Sequence, residues 1–288
     1  MIVVTGATGS LGKHVVEGLL EKVPADQVAV AVRNAEKAAP FAERGVEVRI
    51  ADYSEPETVK QAVNKGDKVL LISGSEVGQR VAQHTAVVEA AKEAGVALLA
   101  YTSILGGPEA DFELAREHQA TEQVIIDSGL PYALLRNGWY HENYTEQLGQ
   151  AVAAGGVLTS SVEGSRVASA SRADFAAAAV AVLTGEGHEN QAYELSGDTA
   201  WTFEEYAAEV SRQLGREIPV SRVPGEVHKE ILVGAGLPEP FVDILVDVDA
   251  AISRGLLARQ NGDLAKLIGR PTSPIADSIA EGLKPVEA

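Results

Sequence analysis

No cysteine occurs among the 288 residues, which removes disulfides, thiolate nucleophiles, iron–sulfur clusters and cysteine zinc sites at once. The six histidines are scattered without paired metal-ligand spacing, so neither a structural nor a catalytic metal is expected. Aromatic residues make up only 5% of the chain, so any place where they gather stands out. Long apolar runs are missing too. The alanine-rich stretch from Phe175 to Leu183 is too short to span a bilayer, which takes about 20 residues. A strand beginning at Ile2 leaves no space for a secretory leader, and these absences together predict a soluble, cytoplasmic protein with no membrane partner. Positive charge is scarce: 24 basic residues face 41 acidic ones, a net charge of −17. It divides evenly, −8 over residues 1–150 (13 basic, 21 acidic) and −9 over the rest (11 basic, 20 acidic). An even negative field repels polyphosphate backbones and argues against nucleic acid as a partner.

What the chain does have is alternation. Apolar strands near 2–5, 27–32, 46–51, 68–72, 97–102 and 131–136 are separated by amphipathic helices. The strands read as continuous Val, Ile and Leu runs, the mark of a parallel sheet covered on both faces. Ser54 with Glu57 has the spacing of a capping box, Gly45, Gly95 and Gly129 close helices, and Pro40 shortens the second helix. After Arg136 the rhythm changes to short strands around 157–160, 166–170, 192–195 and 218–223, mixed with helices near 172–184, 202–214 and 261–268. The expected fold is α/β, a doubly wound parallel sheet of the Rossmann kind with a smaller interleaved α+β region. Residues 1–136, with 171–197 returning to them, form the nucleotide-binding core. Residues 137–170 and 198–288 form the substrate region.

The first strand runs into Thr5-Gly6-Ala7-Thr8-Gly9-Ser10-Leu11-Gly12, and a helix opens near Ser10. Gly6 suits a sharp bend, Gly9 a close approach of pyrophosphate to main-chain N–H groups, and Gly12 tight helix–sheet packing. The helix N-terminus then offers unpaired N–H groups and the positive end of its dipole to an anion. The second strand ends at Arg33, where an NAD-preferring domain carries Asp or Glu for the ribose 2′-hydroxyl. A guanidinium there suits a 2′-phosphate, so NADPH is the expected cofactor, although a solvated surface arginine would look the same in sequence. Asn34 reads as the cap of the next helix.

In an open parallel sheet the ligand lies beyond the carboxyl ends of the strands. Asp52 ends the third, within reach of an adenine amino group or as an ordinary loop aspartate. The fourth ends in Ser73-Gly74-Ser75, small enough to admit the nicotinamide ribose, and the fifth in Tyr101-Thr102-Ser103. The sixth ends in Arg136-Asn137-Gly138-Trp139-Tyr140, with Tyr144 close behind. These aromatics are either the start of a second core or the wall of a slot for a flat substrate. None of the seven tyrosines is followed by lysine at the fourth position, so the tyrosine–lysine acid of ordinary short-chain dehydrogenases is missing. Hydride transfer to an acceptor already poor in electrons fits better, because it asks the protein mainly to orient and desolvate.

Five segments carry a family resemblance: VVTGATGSLG from Val3 to Gly12, LLISGSEVGQR from Leu70 to Arg80, AYTS at 100–103, LLRNGWYHENY from Leu134 to Tyr144, and SRADFAAAA from Ser171. Together they resemble the NmrA-like atypical short-chain dehydrogenase/reductases, and within them the type 2 quinone oxidoreductases and triphenylmethane dye reductases. The resemblance implies NADPH held by Gly6, Thr8, Gly9, Ser10, Leu11, Gly12, Arg33, Ser73, Gly74, Ser75 and the Asn137–Tyr140 segment, with Asp52 and Thr102 as further candidates. It implies a quinone or similar planar acceptor, reduced without flavin, against Trp139, Tyr140 and Tyr144. Matching EHQATEQVIIDSGLPY to the related plant phenylpropenoid reductases puts His118 where those proteins hold a catalytic lysine, which makes it the candidate proton donor near neutral pH. A non-catalytic NADP(H)-sensing regulator on the same fold is the alternative. The helices at 80–94 and 109–128 are where two copies could pair as a homodimer.

Overall fold

The structure, a computed structural model, describes residues 1–76, 78–153 and 156–284. Seven strands form its central sheet: β1 (Ile2–Thr5), β2 (Val28–Val32), β3 (Glu47–Ile50), β4 (Lys68–Leu71), β5 (Leu98–Ile104), β6 (Tyr132–Asn137) and β8 (Gln191–Leu195). The order is β3-β2-β1-β4-β5-β6-β8, and every pairing is parallel. A small second sheet pairs β7 (Leu158–Ser160) with β9 (Val220–Arg222). The order reverses between β1 and β4, so the crevice for a ligand opens above β1.

Alternation along the strands sorts side chains to two helical layers. Val4, Val30, Leu70, Ala100 and Leu135 face α1 (Ser10–Leu20), through Val15, Val16 and Leu19, and α8 (Arg172–Thr184), through Phe175, Ala179 and Val182. Val3, Val69, Leu71, Leu99, Tyr101 and Leu134 face α3 (Pro56–Ala62), α4 (Arg80–Ala94) and α5 (Glu113–Ser128). The short α2 (Ala39–Ala42) carries Pro40 in its first turn, where the missing N–H costs nothing. Thus α8 and β8 pack into the main sheet, although they lie far along the chain.

The remaining helices are α6 (Glu142–Thr145), α7 (Leu148–Ala153), α9 (Phe203–Leu214), α10 (Gly225–Gly234), α11 (Glu239–Ser253), α12 (Asp263–Ile268) and α13 (Ile275–Gly282). Of these, α6, α7, α9, α11 and α13 gather around a third core that includes Phe112, Leu148, Trp201, Phe203, Tyr206, Val210, Val248, Ile252 and Ile279, whereas α10 lies against α11 and α12 packs through Leu264 on α8 and β8 in the first core.

Three sequence expectations need correction. Residues 166–170 form no strand and make only the single bridges Val167 to Trp201 and Ala170 to Tyr140. Ser54 and Glu57 form no capping box: Pro56 opens α3 and makes Glu55 its cap, while Asp52 Oδ1 takes the Ser54 N–H at 2.9 Å. The capping box instead joins Thr202 and Glu205 at the start of α9. The sequence pattern assigns no helix at α10, α11 or α13. Pro224, Pro238 and Pro274 are the N-caps of those helices.

Candidate active site

At the end of β1 the chain turns on Gly6, whose φ of +59° is the left-handed conformation that side chains avoid. The Gly9 N–H donates to Gly6 O at 3.0 Å. A Cβ on Gly12 would lie 2.3 Å from Gly6 O and 2.6 Å from Ala7 Cα, so only glycine lets α1 approach the turn. Leu11 is buried in the core and offers the site only its backbone, whereas Gly9 and Ser10 are exposed. α1 has no side-chain cap at Gly9 and no acidic residue in its first turn. Its leading N–H groups therefore remain available to a diphosphate, and the loop fits a dinucleotide. Below it the Thr5 hydroxyl donates to Leu70 O (2.9 Å) and accepts from Ile72 N–H (3.1 Å) and from the Tyr53 hydroxyl (2.5 Å). Sequence reasoning missed Tyr53; burial raises its pKa and keeps it a donor.

Arg33 stands exposed beyond β2 and meets Glu76 at 3.0 Å. Asn34 Oδ1 caps the turn that follows, accepting from Glu36 N–H at 2.8 Å. Asp52 spends one carboxylate oxygen on Ser54. The Thr102 hydroxyl accepts from Ser73 N–H at 2.8 Å, so it sets the loop after β4 from below. Val77 of the 70–80 segment lies outside the described residues.

Asn137, at the end of β6, is 5% exposed. Its Nδ2 makes a long contact of 3.4 Å to the Tyr140 hydroxyl, and its Oδ1 has no hydrogen-bond partner among the described residues. A buried acceptor left open beside the crevice fits an incoming N–H donor such as a carboxamide. Tyr140 and Trp139 do not form one wall, as the sequence suggested. Tyr140 packs on Phe175, ring centres 5.2 Å apart, and carries the Arg172 guanidinium over its face at 5.4 Å. Trp139 and Tyr144 belong to the third core. Tyr144 meets Trp201 edge-on at 4.9 Å, and burial holds its hydroxyl well above the ordinary phenol range.

His118 is neither on the surface nor titrating near neutrality. It is buried on α5, with Nδ1 2.8 Å from the Tyr101 hydroxyl. Burial, with the nearby Arg80 and His84, holds it well below the usual imidazole range. It is therefore neutral at physiological pH and is no cationic acid.

Sequence reasoning also missed Ser161, His228 and Asp249, which converge from three distant segments. The Ser161 hydroxyl donates to Asp249 Oδ2 at 2.6 Å, and His228 Nδ1 lies 3.0 Å from that hydroxyl and 3.1 Å from the same carboxylate oxygen. One ring nitrogen serves both partners, so this is not the two-nitrogen relay of a nucleophilic triad. A cavity of about 410 Å³ beside Leu105, Gly106, Glu109 and Arg259 touches none of the predicted site residues and is separate from the crevice.

A family model described as NAD(P)H-binding matches residues 6–186. Quinone oxidoreductase 2 of Escherichia coli (strain K12) is 44% identical over 97% of this chain and 98% of its own. The crystal structure of the NADPH-dependent quinone oxidoreductase from Escherichia coli complexed with NADPH matches with a TM-score of 0.94, covering 98% of this chain and 99% of that one. Triphenylmethane reductase of Citrobacter sp., complexed with NADP(H), gives 0.94 at 40% identity, covering 98% of this chain and 100% of its own. The NAD(P)H azoreductase of Xenophilus azovorans is 32% identical over 96% of each chain.

Proposed function

The chain belongs to the NAD(P)H-binding family, in its NmrA-like branch, and we infer that it is an NADPH-dependent reductase passing a hydride to a quinone or similar planar, electron-poor acceptor. The observation that carries this reading is the uncapped start of α1 above a glycine turn that admits no side chain, in a chain 44% identical to a quinone oxidoreductase.

In this reading the amides of Gly9, Ser10 and Leu11 hold the diphosphate, and Thr8 borders it. Arg33 exchanges Glu76 for the 2′-phosphate, a stronger, doubly charged partner. Asp52 borders the adenine, and the Ser73–Ser75 loop, set by Thr102, borders the ribose. Asn137 Oδ1 accepts from the carboxamide and fixes which face of the ring is presented, next to Gly138 and Tyr140. The bound cofactor supplies the hydride. Trp139 and Tyr144, the latter packed against Trp201 and Tyr206, form the edge against which a flat acceptor slides, and residues 137–170 and 198–288 form the substrate region. The acceptor needs no acid before hydride arrives, and the product oxygen takes its proton from solvent. No helix among the described residues is long and apolar enough to cross a membrane, and a cytoplasmic location fits a cysteine-free NADPH consumer. A homodimer through the outer faces of α4 and α5, where Ile126 is exposed, belongs to the same reading.

The test is steady-state consumption of NADPH, followed by absorbance, with benzoquinone and then a cationic triphenylmethane dye. Turnover with either supports the enzyme. Calorimetric binding of NADPH with no turnover on several quinones and the dye would leave a nucleotide sensor instead.

A further inference from the structure

We propose that His84, Arg80 and Glu117 form a buried clamp that fixes the Gly74 peptide and thereby preorganises the loop after β4 for NADPH. The proposal rests on the reading that residues 73–75 meet the cofactor, and it makes His84 a positioning residue.

Both backbone polar groups of Gly74, which lie in successive peptide units of the loop, are taken by α4. Its N–H donates to His84 Nε2 at 3.0 Å, and its carbonyl accepts from Arg80 Nε at 2.8 Å. Because Nε2 accepts, the ring proton sits on Nδ1, which lies 3.0 Å from the Thr121 hydroxyl. That hydroxyl donates in turn to Glu117 O at 2.9 Å. Every atom in the chain therefore has one assigned role, and the tautomer is fixed. His84 is fully buried, and burial together with Arg80 pushes it down to about 3. Nε2 stays an acceptor across the physiological range.

Arg80 reaches further. Its guanidinium, 5% exposed, pairs with Glu117 at 3.0 Å, and the other Glu117 oxygen accepts from Gly78 N–H at 2.9 Å. Gly74 and Gly78 are thus both tied to the α4–α5 pair. Ser75 and Glu76 between them stay exposed, and Glu76 reaches Arg33. Burying a guanidinium and a carboxylate is a costly way to join two helices. Apolar contacts already do so on the same face, through Val87, Val88 and Ile125. The polar groups end instead on the backbone of two residues of one loop, Gly74 and Gly78, which is what orders it before a ligand arrives.

The test uses the full-length protein with His84→Leu and His84→Gln. Leucine leaves the Gly74 N–H buried without a partner, and glutamine offers an amide oxygen to it. The expected result for His84→Leu is an NADPH Kd and KM raised about tenfold, with kcat within about twofold of wild type and faster exchange of the Gly74 amide in the ligand-free protein. His84→Gln should recover most of the affinity. If His84→Leu does not fold, Arg80→Lys carries the same test: it keeps a charge opposite Glu117 but cannot also reach the Gly74 carbonyl. Wild-type affinity in a folded His84→Leu or Arg80→Lys protein overturns the clamp alone. Absence of NADPH binding by the wild-type protein overturns the cofactor reading, and the clamp's purpose with it.

Discussion

The guanidinium of Arg33 and a carboxylate oxygen of Glu76 meet at 3.0 Å across β1, the strand that carries the glycine turn, because one residue follows β2 and the other follows β4. Glu76 is also held by Gln83 Nε2 at 2.9 Å. In the free protein, then, the cation suited to a 2′-phosphate is already engaged, and the phosphate must displace Glu76. Both side chains are largely exposed, so the pair is weak and the exchange is easy. Glu76→Gln should strengthen NADPH binding by a few-fold and leave NADH nearly unchanged. Arg33→Glu should reverse the cofactor preference, raising the KM for NADPH by roughly 10- to 100-fold. Steady-state KM values for the two cofactors decide; unchanged values in Arg33→Glu would remove this residue from the site.

Gly12 makes a sharper prediction. A methyl group there meets backbone atoms of Gly6 and Ala7 rather than a side chain that can swing aside. Gly12→Ala should therefore push α1 off the turn, cost about 1–3 kcal/mol of stability and weaken NADPH binding as well. Urea denaturation and calorimetry on the same preparation check both. Loss of binding with unaltered stability would mean that α1 does not move.

The parallel sheet was legible because each strand is a short apolar run bounded by turn residues, and the glycine loop because its chemistry is local. Gly6, Gly9, Gly12 and Arg33 can be placed from neighbours a few positions away. Asn137 was legible as a strand end, but its open Oδ1 was not, since that depends on what Tyr140 and Phe175 do nearby. His118 was misread for a related reason: its neutrality comes from Arg80, His84 and burial under β5, none of which the α5 sequence displays. The Ser161–His228–Asp249 cluster and the Gly74 clamp join residues brought together only by tertiary packing. The divergence of Trp139 from Tyr140 reflects two cores, and adjacent positions in sequence cannot announce that.

Acid should destabilise the fold through its buried imidazoles. His141 accepts at Nδ1 from the Ser278 side, 3.1 Å away, and donates from Nε2 to Ser169 O at 3.0 Å; burial holds it down to about 4. Between that value and the unfolded imidazole pKa near 6.5, the unfolded chain binds the proton and the folded one does not. Stability therefore rises with pH through this window and falls as pH drops from about 6.5 toward 4, by on the order of 3 kcal/mol for this group. His84 and His118 are shifted in the same direction and steepen the fall. Denaturation midpoints measured from pH 4 to 8 check the sign; His141→Gln should flatten the slope, and an unchanged slope in that variant would assign the effect elsewhere.

Arg136 is held between Glu122 at 2.8 Å and Glu194 at 2.9 Å, and Glu122 also accepts from the Ser103 hydroxyl at 2.5 Å. The network ties β5, β6, β8 and α5 at the carboxyl end of the sheet. Removing the cation strands two carboxylates that are 4% and 15% exposed. Arg136→Met should cost about 3–5 kcal/mol, while the triple change with Glu122→Gln and Glu194→Gln should recover a good part of it. A denaturation series on the single and triple variants measures this, and a loss below about 1 kcal/mol in Arg136→Met would show that water replaces the guanidinium.

Asn137 separates function from stability most cleanly. Its Oδ1 is buried and open, a condition that costs the free protein stability unless something supplies a donor. Asn137→Leu removes the open acceptor, keeps four side-chain heavy atoms in the same branched arrangement and gives up only the long contact to Tyr140. The ligand-free variant should therefore melt at the wild-type temperature or slightly above it. With the carboxamide unanchored, the nicotinamide would be presented loosely, and kcat should fall by roughly 10- to 100-fold while Arg33 and the glycine loop keep the KM for NADPH within a few-fold. A melting curve and a steady-state series on one preparation give both answers. A large drop in melting temperature would make Asn137 a structural residue, and full activity at wild-type stability would free it from the cofactor.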